Sequence, residues 1–484
     1  MSCHLIRSNI LLVIITFSVI LSCQKIQKDT YMDLIKKGEF SKATEIIKKM
    51  LENDKNLSEQ QKIDLSFEIE RMERIRKDFT KTEEEVFSYI SKYIPNVTKK
   101  DIEKWEREKS LEYMIIDGHK YYFNRADRNL FRIDKACNKT WEEYHNQRNI
   151  NTKDEKMDYY SHNREIMNEV QNSGKHLVKP VKLWIHYTIT IKPDMVPSGE
   201  TIRCWIPYPR EIPGRQEQIH LIKTEPVHNY IADNKHLQRT IYLEKPATKS
   251  EETVFYVEYT FVNHGVYFNI DPEKVTDVDI RGDQASFLME KPPHIVFVKD
   301  LKELSHTIIG NETNPYRKAQ LLFKWVDENI PWASAREYST IRNLSLYGFQ
   351  NRHGDCGIRA MLFITLCRMN GIPARWQSGW DFKPPYNSMH DWGMIYFKPY
   401  GWMPMDVDYG LHDSNDENLR WFYLSGMDSY RLIFNDAFSQ TFDPAKKHFR
   451  SETVDSQRGE VEWNGGNLYF DQWSWNMQWK VLEE

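Results

Sequence analysis

Cys356 stands in Gly354-Asp355-Cys356-Gly357, directly before the apolar run Ile358-Arg359-Ala360-Met361-Leu362-Phe363-Ile364-Thr365-Leu366. A cysteine on a glycine-rich turn at the mouth of a helix meets unpaired N–H groups and the positive end of the helix dipole, and both favour the thiolate. Its own N–H is placed to hold a developing oxyanion. His390 opens His390-Asp391-Trp392-Gly393-Met394-Ile395-Tyr396-Phe397, which alternates as a strand does, and Asp406 closes Gly401-Trp402-Met403-Pro404-Met405-Asp406. A histidine at the start of a strand can reach a helix N-terminus, and a carboxylate on the next strand can hold its far nitrogen and fix the tautomer. Nucleophile, base and orienter therefore occur in that chain order, and the chemistry they suit is acyl transfer through a thioester. Taken singly, each has a plainer reading. A cysteine before an apolar helix is usually packing, a strand histidine a hydrogen-bonded structural group, and an aspartate a turn or cap residue.

These residues need a helix and a sheet to hold them. The Cys356 helix is expected to stop at Asn370-Gly371, with Pro373 beyond. Ahead of it, Tyr316 to Ile330 has helical period, with Ala319, Leu322, Phe323 and Val326 on one face. Further upstream the chain alternates in Val181 to Ile191, Thr201 to Ile206 and Thr253 to Phe261, separated by Pro, Gly and Asn clusters, which predicts a β-sandwich. Residues 29–111 are highly charged with helical period, Phe40, Ala43, Ile46, Ile47, Met50 and Leu51 marking an apolar face. Tyr113 to Phe123 reads as a hairpin around Asp117-Gly118, and a polar helical connector follows from Lys139 to about Ser173. The aromatic-rich stretch Val461 to Val481 reads as strands returning to a neighbouring domain. The expected architecture is α+β and multidomain: 1–22 a signal peptide, 23–175 a mainly helical region with a small hairpin, 176–290 a β-sandwich, 291–440 the catalytic core, and 441–484 a C-terminal β extension.

The balance of 66 basic and 70 acidic residues, net −4, gives no electrostatic footprint for nucleic acid. The six cysteines, without CxxC pairs, argue against a zinc site or a dense disulfide framework. At the N-terminus, His4 and Arg7 precede an apolar run from Ile10 to Leu21 that ends in Ser22-Cys23 and turns polar at Gln24-Lys25. That run has the length of a signal h-region and is short for a membrane span. Ile20-Leu21-Ser22-Cys23 resembles a bacterial lipobox, which implies lipidation at Cys23 and an exported, membrane-tethered protein in the cell envelope. An uncleaved anchor helix is the other reading of the run.

From Gly354-Asp355-Cys356-Gly357 through Asn370-Gly371-Ile372-Pro373-Ala374-Arg375, Ser378-Gly379, His390-Asp391-Trp392 and Gly401 to Asp406, the sequence resembles the core of the transglutaminase-like superfamily. The resemblance covers roughly residues 315–410. It implies a papain-like Cys-His-Asp triad in an α+β fold, with Cys356 as nucleophile, His390 as general base and acid, and Asp406 as orienter. Three departures bear on the transfer. His-Asp-Trp stands where many members have His-Ala-Trp, and in a regular strand Asp391 points away from His390. Asp408 shares a face with Asp406 and is the alternative orienter. Gln350 precedes Cys356 by the spacing that papain-type enzymes use for an oxyanion donor, and it is a candidate for that role or an ordinary loop residue. His353 is expected to face solvent; Cys204 and Cys367 are expected to be packing residues. The resemblance carries over no metal, and no cofactor is expected.

The function expected is a thiol-dependent amidase acting on peptide or isopeptide bonds of a protein or peptide substrate. Transamidation to an amine acceptor uses the same triad, and a non-catalytic peptide- or glycan-binding scaffold is the reading from a different class. Ser334 to Gly348 and Asp381 to Met389 are expected to be loops that wall the cleft.

Overall fold

The computed structural model describes residues 30–147 and 157–483. Cys23 and the apolar run before it lie outside these described residues. Among the described residues no helix is long and apolar enough to cross a membrane. The chain is a multidomain α+β protein that divides into two compact units between Tyr144 and His145.

The N-terminal unit is mainly helical because its sequence marks its own helix starts. Ser58 and Thr82 open helices Glu59–Asp78 and Glu83–Ser91 with reciprocal capping boxes to Gln61 and Glu85, and Thr98 opens Lys99–Arg107 by donating its N–H and hydroxyl to Asp101. Helix Phe40–Asn53 buries Phe40, Ala43, Ile47 and Met50, the spacing of one helical face. Strands β1 (Phe79–Lys81), β2 (Tyr113–Ile116) and β3 (His119–Phe123) form an antiparallel sheet in the order β1-β3-β2. The β2–β3 turn is the two residues Asp117 and Gly118, at φ 48° and 85°. Both are left-handed, as a tight hairpin of this kind requires.

The second unit begins with helix Tyr159–Ser173. The sequence reading assigns this segment to the N-terminal region, and the structure corrects that. Ile166 and Val170 are buried in the same cluster as Val178 and Val266, because a helix whose apolar residues recur every four positions packs wherever a matching face lies. Two sheets make the sandwich. One has β4 (Leu177–Ile191) and β9 (Thr253–Tyr267) at its centre, flanked by β6 (Gln216–Glu225), β13 (Gly426–Met427) and β17 (Trp473–Leu482). The other runs β16-β15-β5-β8-β7, with β5 (Thr201–Pro207), β7 (Asn229–Ile231), β8 (Thr240–Pro246), β15 (Glu460–Trp463) and β16 (Gly466–Leu468). The C-terminal strands are thus part of the sandwich itself. Residues 268–290, inside the expected sandwich span, contain two short 3-10 turns and no strand of either sheet.

A third sheet carries the chemistry. Its order is β12-β11-β10-β14, with β10 (Ala374–Lys383), β11 (Tyr386–Phe397), β12 (Gly401–Met405) and β14 (Arg431–Asn435). One face packs on helix Cys356–Met369 through Gly393, Ile395, Phe397, Met403 and Met405. Trp380 and Phe382 of β10 and Leu432 and Phe434 of β14 enter the sandwich core with Leu183, Tyr187 and Phe255. Every residue from Gly357 to Arg368 is buried. A helix enclosed on all sides has no need of a solvent-facing polar side, which is why Arg359, Thr365 and Arg368 are the polar exceptions in an otherwise apolar stretch. It stops as expected at Asn370-Gly371, where Gly371 takes φ +75°.

Candidate active site

Cys356 is the first residue of its helix, and the Asp355 carboxylate caps that helix by accepting the Ile358 N–H at 3.3 Å. A Cβ at Gly357 would lie inside contact distance of the Tyr338 hydroxyl and 2.7 Å from Asp391 Oδ2, so only glycine lets the strand and the 338 turn approach the helix mouth. His390 and Asp406 are both buried, and His390 Nε2 lies 2.7 Å from Asp406 Oδ2. Asp406 Oδ1 accepts the N–H groups of Asp408 and Tyr409 at 3.1 and 3.2 Å. Burial opposes ionisation of Asp406, but the charges of His390 and Arg431 outweigh it and bring the carboxyl to about 2. An ionised Asp406 makes Nε2 the protonated nitrogen. Nδ1 is left as an open acceptor, with no hydrogen bond to a described residue.

Asp406, and not Asp408, is the hydrogen-bond partner of His390. Asp408 Oδ1 accepts from Arg359 Nη1 at 2.7 Å, an ion pair at the side of the helix. Gln350 is exposed near the end of helix Leu344–Asn351. His353 is buried, with its ring edge-on to Tyr347 at 5.9 Å, and does not face solvent as expected. Cys204 and Cys367 are fully buried packing residues. The 381–389 segment is no loop: β10 and β11 pair up to Lys383 and Tyr386, around a Pro384-Pro385 turn. Its Asp381 is buried and accepts the Tyr409 hydroxyl at 2.7 Å.

Asp391 gives the site its particular character. It points away from His390, as strand alternation requires, and that direction leads to the nucleophile: Cys356 Sγ donates to Asp391 Oδ2 at 3.4 Å. The Tyr338 hydroxyl lies 2.8 Å from Asp355 Oδ1 and 3.1 Å from Asp391 Oδ2, bridging the two acids. From the C-terminal segment, Gln457 Nε2 donates to Asp391 Oδ1 at 2.7 Å and to the His390 carbonyl at 2.8 Å, and the buried Asp455 carboxyl is a close electrostatic neighbour of Asp391. Burial, then the neighbouring charge of Asp455, holds Asp391 well above the usual carboxylate range, and burial brings Asp355 up to about 7. The thiol is likewise pushed well above its ordinary value, by burial first and then by Asp391 and Asp355. This overturns the expectation of a depressed thiol at the helix mouth. The dipole is present, but acidic partners stand where a cation would be needed. At rest Cys356 is a neutral thiol hydrogen-bonded to a carboxyl, and it makes no hydrogen bond to His390.

These raised carboxyls have a thermodynamic consequence. A carboxyl whose folded pKa lies above its unfolded value contributes stability that is complete below about pH 4 and is lost as pH rises through its folded pKa. For Asp355 that window closes at about 7. The buried His294 and His412, brought down to about 4 by burial, act in the opposite sense below pH 6.5. The cluster must therefore be read as a difference between variants. Asp391→Asn, which cannot ionise, should gain stability relative to the parent when thermal melts at pH 8 are compared with melts at pH 5. A difference independent of pH would show that the cluster does not share protons in this way.

A buried helix with the thiol at its mouth, laid on an antiparallel sheet that carries a His–Asp pair, defines a papain-like core. Residues 302–407 match the family model described as the transglutaminase-like superfamily. A curated relative, an uncharacterized protein of Haemophilus influenzae, is 26% identical over an alignment of 252 residues, with 44% of this chain covered. The match spans 65% of that relative's length. Among solved structures, a proposed cysteine protease from Cytophaga hutchinsonii is similar at 18% identity and a TM-score of 0.44, covering 64% of this chain and 93% of that one. The periplasmic domain of TgpA from Pseudomonas aeruginosa is similar at 12% identity and a TM-score of 0.24, covering 47% of this chain and 88% of that one.

The sequence reading did not reach Asp391 as a neighbour of the thiol, nor Tyr338, Asp455, Gln457 and Arg431. The signal for Asp391 was present in the departure from His-Ala-Trp, since a carboxyl there faces the helix mouth. The others come from distant segments and carried no local signal.

Proposed function

We propose that Cys356, His390 and Asp406 form the catalytic triad of an enzyme that hydrolyses peptide or isopeptide amide bonds through a thioester. The observation that carries this reading is the buried His390 Nε2–Asp406 hydrogen bond of 2.7 Å, which leaves Nδ1 open as an acceptor; Asp391, the next residue on β11, points to the opposite face and holds Sγ, so proton transfer requires the thiol to turn toward His390 as it leaves Asp391. Substrate entry displaces the thiol from Asp391. Sγ attacks the carbonyl carbon as its proton passes to His390 Nδ1, and the Cys356 N–H, unpaired at the helix start, faces the oxyanion. His390 then protonates the leaving amine, and the C–N bond breaks to give the thioester. Water deprotonated by His390 resolves it, releasing acid and thiol. An amine in place of water gives transamidation from the same intermediate. Gln350 remains a candidate second oxyanion donor, requiring a rotamer that reaches the cleft.

The lipobox-like Ile20-Leu21-Ser22-Cys23 supports placement in the cell envelope on a lipid anchor. The test is product analysis of the full chain with cell-wall peptides and proteins, with and without a primary amine. Hydrolysed product and a mass-trapped acyl group on Cys356 are expected; amine-coupled product in excess would favour transamidation, and no Cys356-dependent product would end the enzyme reading. Cys23→Ser should release the chain from membranes, and unchanged membrane association would remove the anchor.

A further inference from the structure

The segment that joins β14 to β15 returns to the mouth of the Cys356 helix, and its last residues, Val454 to Arg458, are pinned to several elements at once. Gln238 Nε2 donates to the Val454 carbonyl at 2.6 Å and Asn435 Nδ2 to that of Asp455 at 2.9 Å. The Trp380 indole N–H donates to the Gln457 carbonyl, and the Tyr187 hydroxyl to that of Arg458, both at 2.9 Å. The Arg458 guanidinium pairs with Glu337, the residue before Tyr338. β4, β10, β14 and the 338 turn thus hold this strap without help from the Gln457 side chain. That side chain makes a different pair of contacts. Its Nε2 donates to the His390 carbonyl at 2.8 Å and to Asp391 Oδ1 at 2.7 Å. A carbonyl oxygen only accepts, so the amide nitrogen must face it, and both amide hydrogens are then in use.

The Asp391 carboxyl is thereby held at both of its oxygens. Gln457 takes Oδ1, while the Tyr338 hydroxyl lies 3.1 Å and Cys356 Sγ 3.4 Å from Oδ2. The last torsion of an aspartate is soft, so contacts at Oδ2 alone leave the carboxyl free to turn, whereas anchors on opposite oxygens fix its plane. We infer that Gln457 is a positioning residue that acts through Asp391: it locks the carboxyl in the orientation that keeps the Cys356 thiol turned away from His390. The nucleophile is then kept in a restrained state, and the strap that carries Gln457 is the restraint. Gln457 is itself only partly buried, so its replacement leaves the surrounding core packed.

The test needs no substrate. The full chain is treated with iodoacetamide at pH 7, and alkylation is located by peptide mass mapping. Cys204 and Cys367, both fully buried, report unfolding, so the rate at Cys356 is read while they stay unlabelled. Gln457→Met keeps the length of the side chain and removes both donors. It should speed labelling of Cys356 about tenfold, the effect of one lost hydrogen bond. Asp391→Ala, which removes the acceptor of the thiol, should speed it at least as much. Gln457→Glu sets an acceptor against both oxygens and should act as Gln457→Met does, so either folded variant decides. A packing role would leave Gln457→Met at the parent rate, and unchanged or slower labelling in a folded Gln457 variant overturns the inference while the triad reading stands. The inference rests on that reading only for where the freed thiol turns. Adding His390→Ala to Gln457→Met should abolish the gain, and a gain that persists without His390 supports the restraint but counts against His390 as the base.

Discussion

Cys356→Ala is expected to lower kcat on an amide substrate by about 10⁴- to 10⁶-fold, because no other group can form the thioester and the residual rate comes from binding and oxyanion contacts alone. The fold should survive. Sγ is half-buried and its one hydrogen bond is to Asp391, so its removal costs about 1 kcal/mol in thermal or urea unfolding. The neighbouring core is unaffected, since the helix is held by Ile358, Met361, Leu362 and Phe363, all fully buried. The control is Cys204→Ala, in the sandwich strand β5 and remote from the chemistry, which should keep its turnover. Equal activity in the parent and the Cys356→Ala chain would mean that the thiol is not the nucleophile. Loss of activity in both variants would mean that fold stability, not chemistry, was being read.

The largest structural effect belongs to Arg431. Arg431, with no exposed side-chain surface, donates from Nη1 to Asp406 Oδ2 at 3.0 Å and from Nε and Nη2 to Asp428 Oδ2 at 3.0 and 2.9 Å. Arg431→Leu leaves both carboxylates buried without their common cation, and breaking a buried pair from one side costs about 3–5 kcal/mol. For a unit of this size that corresponds to a fall in Tm of roughly 4–7 °C. The penalty comes from the abandoned carboxylates, not from the lost attraction itself. Adding Asp428→Asn to Arg431→Leu should therefore recover part of the loss, whereas two independent defects would add. Differential scanning calorimetry on the three variants decides between these, and a double variant less stable than Arg431→Leu would refute the charge argument.

The contrast between Cys356 and Asp391 shows what each level of structure supplied. Helix dipole and glycine turn are local features, so the sequence correctly places a cysteine at a helix mouth. Its acid–base state depends on what crosses that mouth in space. Asp391 arrives there from β11, Tyr338 from an upstream turn, and Asp455 and Gln457 from a segment about a hundred residues downstream. Together they reverse the direction of the thiol's shift. The resting site is therefore a thiol held by a carboxyl, and its activation is a change of hydrogen-bond partner.

Elements with a strong period were legible for the same local reason. The Phe40 and Tyr316 helices, the Asp117-Gly118 hairpin, the alternating strands of the sandwich and the stop at Asn370-Gly371 are all written in nearest-neighbour chemistry. Helix Tyr159–Ser173 was assigned to the wrong unit because periodicity gives a helix its apolar face and not the surface that face will meet.

By itself, the sequence determined which residues could carry acyl-transfer chemistry: Cys356, His390 and Asp406, in an order and setting shared with a transglutaminase-like core. Only the tertiary structure decided that Asp406 and not Asp408 holds His390. It alone showed that Arg431 clamps Asp406, that the C-terminal strands complete the sandwich, and that the thiol rests against an acid. The physical reason is range. Propensity, capping and turn geometry act over a few residues, whereas burial and charge act between whichever groups the fold brings within a few ångströms.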